Sequence, residues 1–459
     1  MVFLVILFAG LNFPASVAQK PYAFTPLTFD SLRGVAVLNS MRQQFANDSI
    51  RLKPGSLFKE ELNLYRARYK EVKSLVESRD LMLDSSLEVY LQQLLAPILK
   101  ANPGINPSRF RIYFSHAEWP NAYSTGEGTL VFNAALFTRL KNESQVAFVL
   151  CHELSHLLLD HSNRQIHDYI HTIYSDSVQE KLKVIKKQEF ERNKQLDQLE
   201  LQLAFKSRHY SRTYEMQADS MAVALLSATA YNLSESLSCL ALLDSIDKDG
   251  WEIESVLKSQ FHAAMYPFKQ KWIQKEAAFF GGVKETAAEK KLADSLKTHP
   301  DCLLRREKIG PTIASLHLPD HSVNLHADTV FKNWQQQFEF EVLYFLFKSN
   351  EISRCLFEAL RLLKTYPDNR YLITTIGACW NEIYQKQQEH RLGTIAGLPS
   401  ADPESQYNRL LEFIQKLTLR DIAWMNYYFL EKHRAGLVAS PQQEAVWARA
   451  EKYYLQQNN

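Results

Sequence analysis

A mainly α chain with one small β-sheet is the fold this sequence predicts: an α+β unit over residues 60–315, then a helical repeat-like region over residues 324–459. Three observations carry it. Apolar residues recur at helical spacing along most of the chain beyond Ser56. Only two short runs, Phe110–Phe114 and Thr129–Phe132, read as strands. A length of 459 residues at 46% hydrophobic content allows two to three domains and a sizeable core.

The elements follow in order. Residues 1–18 end in Ser16-Val17-Ala18 behind the apolar run Val2–Phe8, so a signal peptide cleaved after Ala18 is expected. Its first residues lack Lys and Arg. An uncleaved anchor is the alternative, but the apolar run is short for spanning a bilayer. Apart from this leader no stretch is long and apolar enough to span, so the mature chain is expected to be exported, periplasmic or secreted. Residues 19–59 read as irregular, with Pro21, Pro26 and Pro54 and no sustained period. Helices are expected over residues 56–83 and 87–99, with Pro97 bending the last turn. Gly126 and Gly128 mark a turn before the second strand. Asn133 and Asn142 are suited to cap the two helices that follow. The charged stretch over residues 167–205 reads as an exposed helical arm or a lid. Helices over 331–347, 351–366 and 369–385, broken at Asn350 and Pro367, suggest one or two tetratricopeptide-like repeats; a generic helical tail packed on the first unit is the alternative.

Charge and cysteine content narrow the function. Lys and Arg number 53 against 51 Asp and Glu, for a net charge of +2. That balance gives no excess for nucleic acid or an anionic membrane face. Five cysteines, Cys151, Cys239, Cys302, Cys355 and Cys379, are odd in number and form no C-x-x-C pair. They make neither a disulfide framework nor a cysteine zinc site, although one or two disulfides stay open.

The run Val146–Leu159 holds His152-Glu153-Leu154-Ser155-His156 between apolar flanks. On a helix, positions i and i+4 lie about 40° apart with Cβ atoms roughly 5–6 Å apart. Both imidazoles can therefore reach one Zn²⁺. Glu153, about 100° further round, can reach a water beside the ion, which is the place of a general base. A catalytic zinc needs a third protein ligand and an open position. Glu215 is the candidate, and Asp219 one turn later can accept the free ring N–H of a ligand histidine. A solvated acidic pair is the alternative, opposed by the apolar neighbours Met221, Ala222 and Leu225. His161 lies about 500° round from His156 on a continuous helix and is expected to face elsewhere. A third-histidine pattern would need Gly at 159 and His at 162, where Leu159 and Ser162 stand. His167 and His171 are assigned to the arm.

The pairing of Cys151-His-Glu-Leu-Ser-His156 with Ser211-Arg-x-x-Glu-x-x-Ala-Asp219 resembles the HtpX-like and CAAX prenyl endopeptidase family of gluzincin metallopeptidases. Asn121-Ala122, Gly128 and Ala134-Ala-Leu-Phe137 are similar to a second family segment, with Ala135 where Gly is usual. Thr298-His299-Pro300 with Arg305 and Ile309 is similar to a third, although Arg306 follows Arg305 where the family has Ile. The resemblance implies a zincin-like catalytic domain holding one Zn²⁺ per subunit on His152, His156 and Glu215. It implies an edge strand beside the active-site helix at Asn121 and Ala122. Extended polypeptide substrates would then add near Thr129, Leu130 and Val131. His299 or Arg305 would be donors to the transition state or substrate; for His299, simply opening a helix ahead of Pro300 is the alternative. Exported members with a tetratricopeptide tail act in quality control of envelope proteins. Two other readings remain: a chaperone-like binding module that recruits a partner through residues 324–459 with a latent protease site, and a purely structural metal. Three ligands with a neighbouring Glu form an open site, which disfavours the last.

Overall fold

The computed structural model describes residues 24–52, 55, 57–125, 127–187, 192–246, 250–274, 302–319, 321–399, 405–434 and 440–458. The expected signal peptide lies outside the described residues. The fold is mainly helical with one small four-stranded sheet, as the sequence predicts.

The N-terminal segment corrects one expectation. Residues 31–51, expected to be irregular, form the helix α1 (Ser31–Arg51). The Asp30 carboxylate starts it by accepting from the N–H groups of Leu32 and Arg33. Val37 and Met41, one turn apart, are its buried stripe, too narrow to register as a period. Next come α2 (Phe58–Glu77), the two-residue strand β1 (Leu81–Met82) and α3 (Ser85–Ala101), which carries Pro97 inside it. The second expected helix is therefore in place, and the first stops short of β1.

The sheet adds β2 (Arg111–Ser115), β3 (Ala122–Ser124) and β4 (Thr129–Asn133) in the order β1-β2-β4-β3. β2 and β4 are parallel, with Tyr113 opposite Val131; β3 and β4 are antiparallel, with Tyr123 opposite Val131. Gly128 makes the approach to β4 feasible. Its φ is +108°, and a Cβ there would sit 2.6 Å from the Arg109 carbonyl oxygen. The short helix α4 (Ala134–Arg139) follows β4 directly. Asn133 does not cap it with its side chain. It accepts instead from Ser115 Oγ at 2.8 Å and donates to the Trp119 carbonyl at 3.0 Å.

The helix α5 (Glu143–Leu158) is buried at every position from Glu143 to Ser155. Asn142 caps it as expected, accepting from the Gln145 N–H. Its first turn is also strapped from far along the chain. The buried Glu143 carboxylate accepts from the N–H groups of Leu325 and His326 at 2.9 and 3.0 Å, and Ser144 N–H donates to the Val323 carbonyl. A carboxylate at a helix N-terminus also complements the helix dipole. Beyond α5 lie α6 (His161–Ile173), α7 (Asp176–Lys186) and α8 (Arg192–Ser227), in the region expected to be one arm. Val178, Ile185 and Leu199 make a small core of their own there.

Then come α9 (Glu235–Leu243), α10 (Ile253–Phe261) and α11 (Cys302–Ser315). Six helices complete the described chain: α12 (Asp328–Lys348), α13 (Ile352–Leu363), α14 (Arg370–Gln388), α15 (Gln406–Lys416), α16 (Leu419–Lys432) and α17 (Pro441–Gln456). The hydrophobic core runs without a break from the sheet into these helices. The Phe338 ring of α12 lies tilted 4.8 Å from Phe114 on β2 and edge-on 5.0 Å from Phe137 on α4, and Phe331 lies 5.1 Å from Phe137. The helical C-terminal region thus packs directly on the sheet-bearing unit. All five cysteines are buried free thiols. Among the described residues no helix is long and apolar enough to cross a membrane.

Candidate active site

α5 and α8 pack along each other, and this brings distant residues together. α5 carries His152, Glu153 and His156; α8 carries Glu215 and Asp219; α11 brings in Arg305. All but His156 are fully buried.

Three side chains converge. His152 Nε2 and His156 Nε2 are 3.0 Å apart. Glu215 Oε2 lies 3.4 Å from His152 Nε2, and Glu215 Oε1 lies 3.3 Å from His156 Nε2. Two ligands about 2.1 Å from one tetrahedral ion stand roughly 3.4 Å apart, so the donor set fits a zinc ion without rearrangement. Glu215 and Asp219 both pair with the buried guanidinium of Arg305.

The hydrogen bonds select the tautomers this requires. His152 Nδ1–H donates to Asp219 Oδ1 at 2.9 Å, so its Nε2 is the nitrogen that faces the cluster. Burial and Arg305 lower the His152 pKa, but Asp219 and Glu215 outweigh them and lift it to about 10. The pocket is therefore built to attract positive charge onto that ring. Asp219 is itself held by Arg305, whose Nε and Nη2 donate at 2.7 Å each. Burial would raise the Asp219 carboxyl pKa, yet Arg305 and then His152 hold it at about 2.

Arg305 departs from the role implied for it. It is 3% exposed, forked onto Asp219 and 2.8 Å from Glu215 through Nη1. Both carboxylates hold it in place beside the His152 and Glu215 cluster, so it positions the donors and is not available to a substrate. Of the two adjacent arginines, Arg305 faces the site and Arg306 is exposed. His299 lies outside the described residues.

His161 is the residue that spacing misplaced. α5 ends at Leu158, and Asp160 adopts φ 59°, ψ 32°, a left-handed turn. The continuous-helix angle therefore does not apply. The turned chain sets His161 Nδ1 3.0 Å from His156 Nδ1 and its Nε2 3.0 Å from Gln217 Oε1. With His156 Nε2 facing the cluster, His156 Nδ1–H donates to His161, and His161 Nε2–H donates to Gln217. His161 must then be neutral. Burial and neighbouring His156 push its pKa down to about 4, consistent with that. The ring also stacks on Tyr214 at 4.5 Å.

The sheet edge needs a correction as well. Thr129, Leu130 and Val131 lie on β4, an interior strand buried along its whole length. The end strand beside β4 is β3, which begins at Ala122, just after the buried Asn121, and packs against α5. The sequence signal for β4 was its run of apolar residues, which marks a buried strand and not an edge. Three residues of β3 are too few to show alternation.

No curated protein matches the chain. Residues 85–312, which span strands β2 to β4, α5, the Glu215 segment of α8 and Arg305, match the model of Peptidase family M48. In this part the chain is similar to that family of zinc metallopeptidases.

Proposed function

We propose that this chain is a zinc-dependent endopeptidase that hydrolyses exported or envelope polypeptides as part of protein quality control. The observation that carries the peptidase reading is the convergence of His152, His156 and Glu215 at ligand spacing with Glu153 next to the first ligand. When bound there, Zn²⁺ supplies Lewis acidity toward a carbonyl oxygen and toward water.

The side chains divide the remaining work. Glu153 accepts the proton of the attacking water on its carboxylate and delivers it to the leaving amine nitrogen as the C–N bond breaks. Asp219 keeps the proton of His152 on Nδ1, and His161 does the same for His156. Arg305 keeps Asp219 ionised and holds both Asp219 and Glu215 in register. An extended substrate is accommodated beside β3, the strand at the sheet end nearest α5, with main-chain hydrogen bonds giving affinity at low sequence cost. The quality-control role and export rest on the layout of leader, metallopeptidase unit and helical tail.

Casein digestion with and without chelator tests the activity. Digestion that chelator abolishes and added zinc restores is the expected result. Glu153→Gln should retain zinc and lose turnover by at least about 10²-fold. A variant that keeps both zinc and wild-type turnover removes Glu153 from its role. Exported proteins trapped by that variant would identify the substrates.

A further inference from the structure

α6 also carries His167 and His171 on the side that meets α2. His167 and His171 stand at i and i+4, with side chains 61% and 53% exposed and ring centroids 4.0 Å apart. α2 packs against this helix and presents Glu61, whose Oε1 is 4.0 Å from His171 Nε2. One ligand atom from each of Glu61, His167 and His171 can be chosen so that all lie within 4.8 Å of one another. Among the described residues only this group and the M48 centre have that property.

We propose that Glu61, His167 and His171 form a second divalent transition-metal site, which pins α6 to α2. The donor set, two imidazoles and a carboxylate, is one that zinc accepts, and copper and nickel also favour imidazole. Closing the donors from 4.8 Å to the roughly 3.4 Å of a tetrahedral pair needs shifts of about 1 Å. Rotation of two exposed imidazoles supplies that. The site is not shared with the hydrolytic centre. The inward face of α6 is occupied separately: His161 meets His156, Ile170 is buried, and Asp168 accepts from Tyr214 Oη at 2.9 Å. Asp168 Oδ1 is also 3.8 Å from His167 Nδ1, which adds negative charge beside the proposed ion. Arg68 of α2 already donates to Asn163 of α6 at 2.9 Å, so the ion would reinforce an existing contact. Because α6 begins at His161, which holds the ligand His156, fixing α6 steadies the support of the catalytic cluster from outside.

The test uses the full chain loaded with one zinc equivalent and titrated with further Zn²⁺ by calorimetry. The expected result is a second, weaker equivalent that disappears in the double variant His167→Ala, His171→Ala. Glu61→Gln should weaken it by at least about tenfold. Circular dichroism checks that the variants keep their helix content. In the wild type, the second equivalent should slow amide hydrogen exchange in residues 58–77 and 161–173. A chain that binds only one zinc, or a second equivalent that survives the double histidine variant, overturns the site. A second equivalent indifferent to Glu61→Gln, with exchange in residues 58–77 unchanged, overturns the bridge between the helices.

Discussion

Asp219→Asn is the sharpest probe of the candidate centre because it keeps shape and removes one charge. Asp219 Oδ1 accepts from His152 Nδ1 at 2.9 Å and from Arg305 Nη2 at 2.7 Å, and Oδ2 accepts from Arg305 Nε at 2.7 Å. An amide can keep its oxygen toward His152, but its NH₂ then meets the Arg305 Nε–H donor to donor. One charge-assisted bond becomes a repulsion, and Arg305 turns to its other carboxylate, Glu215, 2.8 Å from Nη1. Glu215 is then drawn off the metal position. Loss of such a partner costs about 10–100-fold in metal affinity, or roughly 1.4–2.7 kcal/mol. Stability should change with a definite sign. The folded carboxyl pKa of about 2 lies below its ordinary 3.8. Asp219 therefore contributes stability that is full above pH ~4 and fades as pH falls toward 2, of order 2 kcal/mol in the metal-free chain. Zinc affinity by chelator competition and denaturant melts of the metal-free chain between pH 2 and 6 measure both. If Asp219→Asn binds zinc as tightly as the wild type and melts identically above pH 4, the linkage from Arg305 through Asp219 to the ligands is wrong.

His161→Ala should loosen zinc by about tenfold through the freed His156 ring, and His161→Gln, which can still accept from His156 Nδ1–H, should recover part of it in chelator competition. Phe338→Ala removes a fully buried ring from the joint between tail and sheet. It should cost about 3–5 kcal/mol in denaturant unfolding, with both regions melting together. Asp421 closes a capping box with Thr418, accepts from Tyr266 Oη at 2.6 Å and pairs with Lys269 at 2.7 Å. Burial would raise its carboxyl pKa, but Lys269, Tyr266 and Thr418 hold it at about 2. Its contribution is present above pH ~4 and is lost as pH falls toward 2. Asp421→Asn should lower stability by about 1 kcal/mol at pH 7 and less at pH 2, read by thermal melts at both.

Much of the centre was legible one element at a time. The i and i+4 histidines, the Glu beside the first, and the i and i+4 acids of Glu215 and Asp219 depend only on helical pitch, so pattern alone located them. The cap at Asn142 and the helix breaks at Asn350 and Pro367 are equally local. Among its described residues helix α1 buries two large apolar side chains, Val37 and Met41, which leaves little periodic signal in the sequence. The order of the strands escaped because β3 is three residues long, and pairing across a sheet is a contact between segments.

What depended on tertiary packing was every contact where one element ends and another begins. A left-handed residue at Asp160 turned His161 back onto His156, against any angle counted along one helix. α11 delivered Arg305 to the carboxylates of Glu215 and Asp219 and so made it a brace, where the family resemblance implied a substrate contact. α6 and α2 met so that Glu61 faced His167 and His171, residues that composition assigned to a solvated arm. Helical spacing is set by backbone hydrogen bonds within one segment and can be counted in sequence. The approach of separate segments is set by how their apolar faces close over a common core, and that is fixed only once the chain has folded.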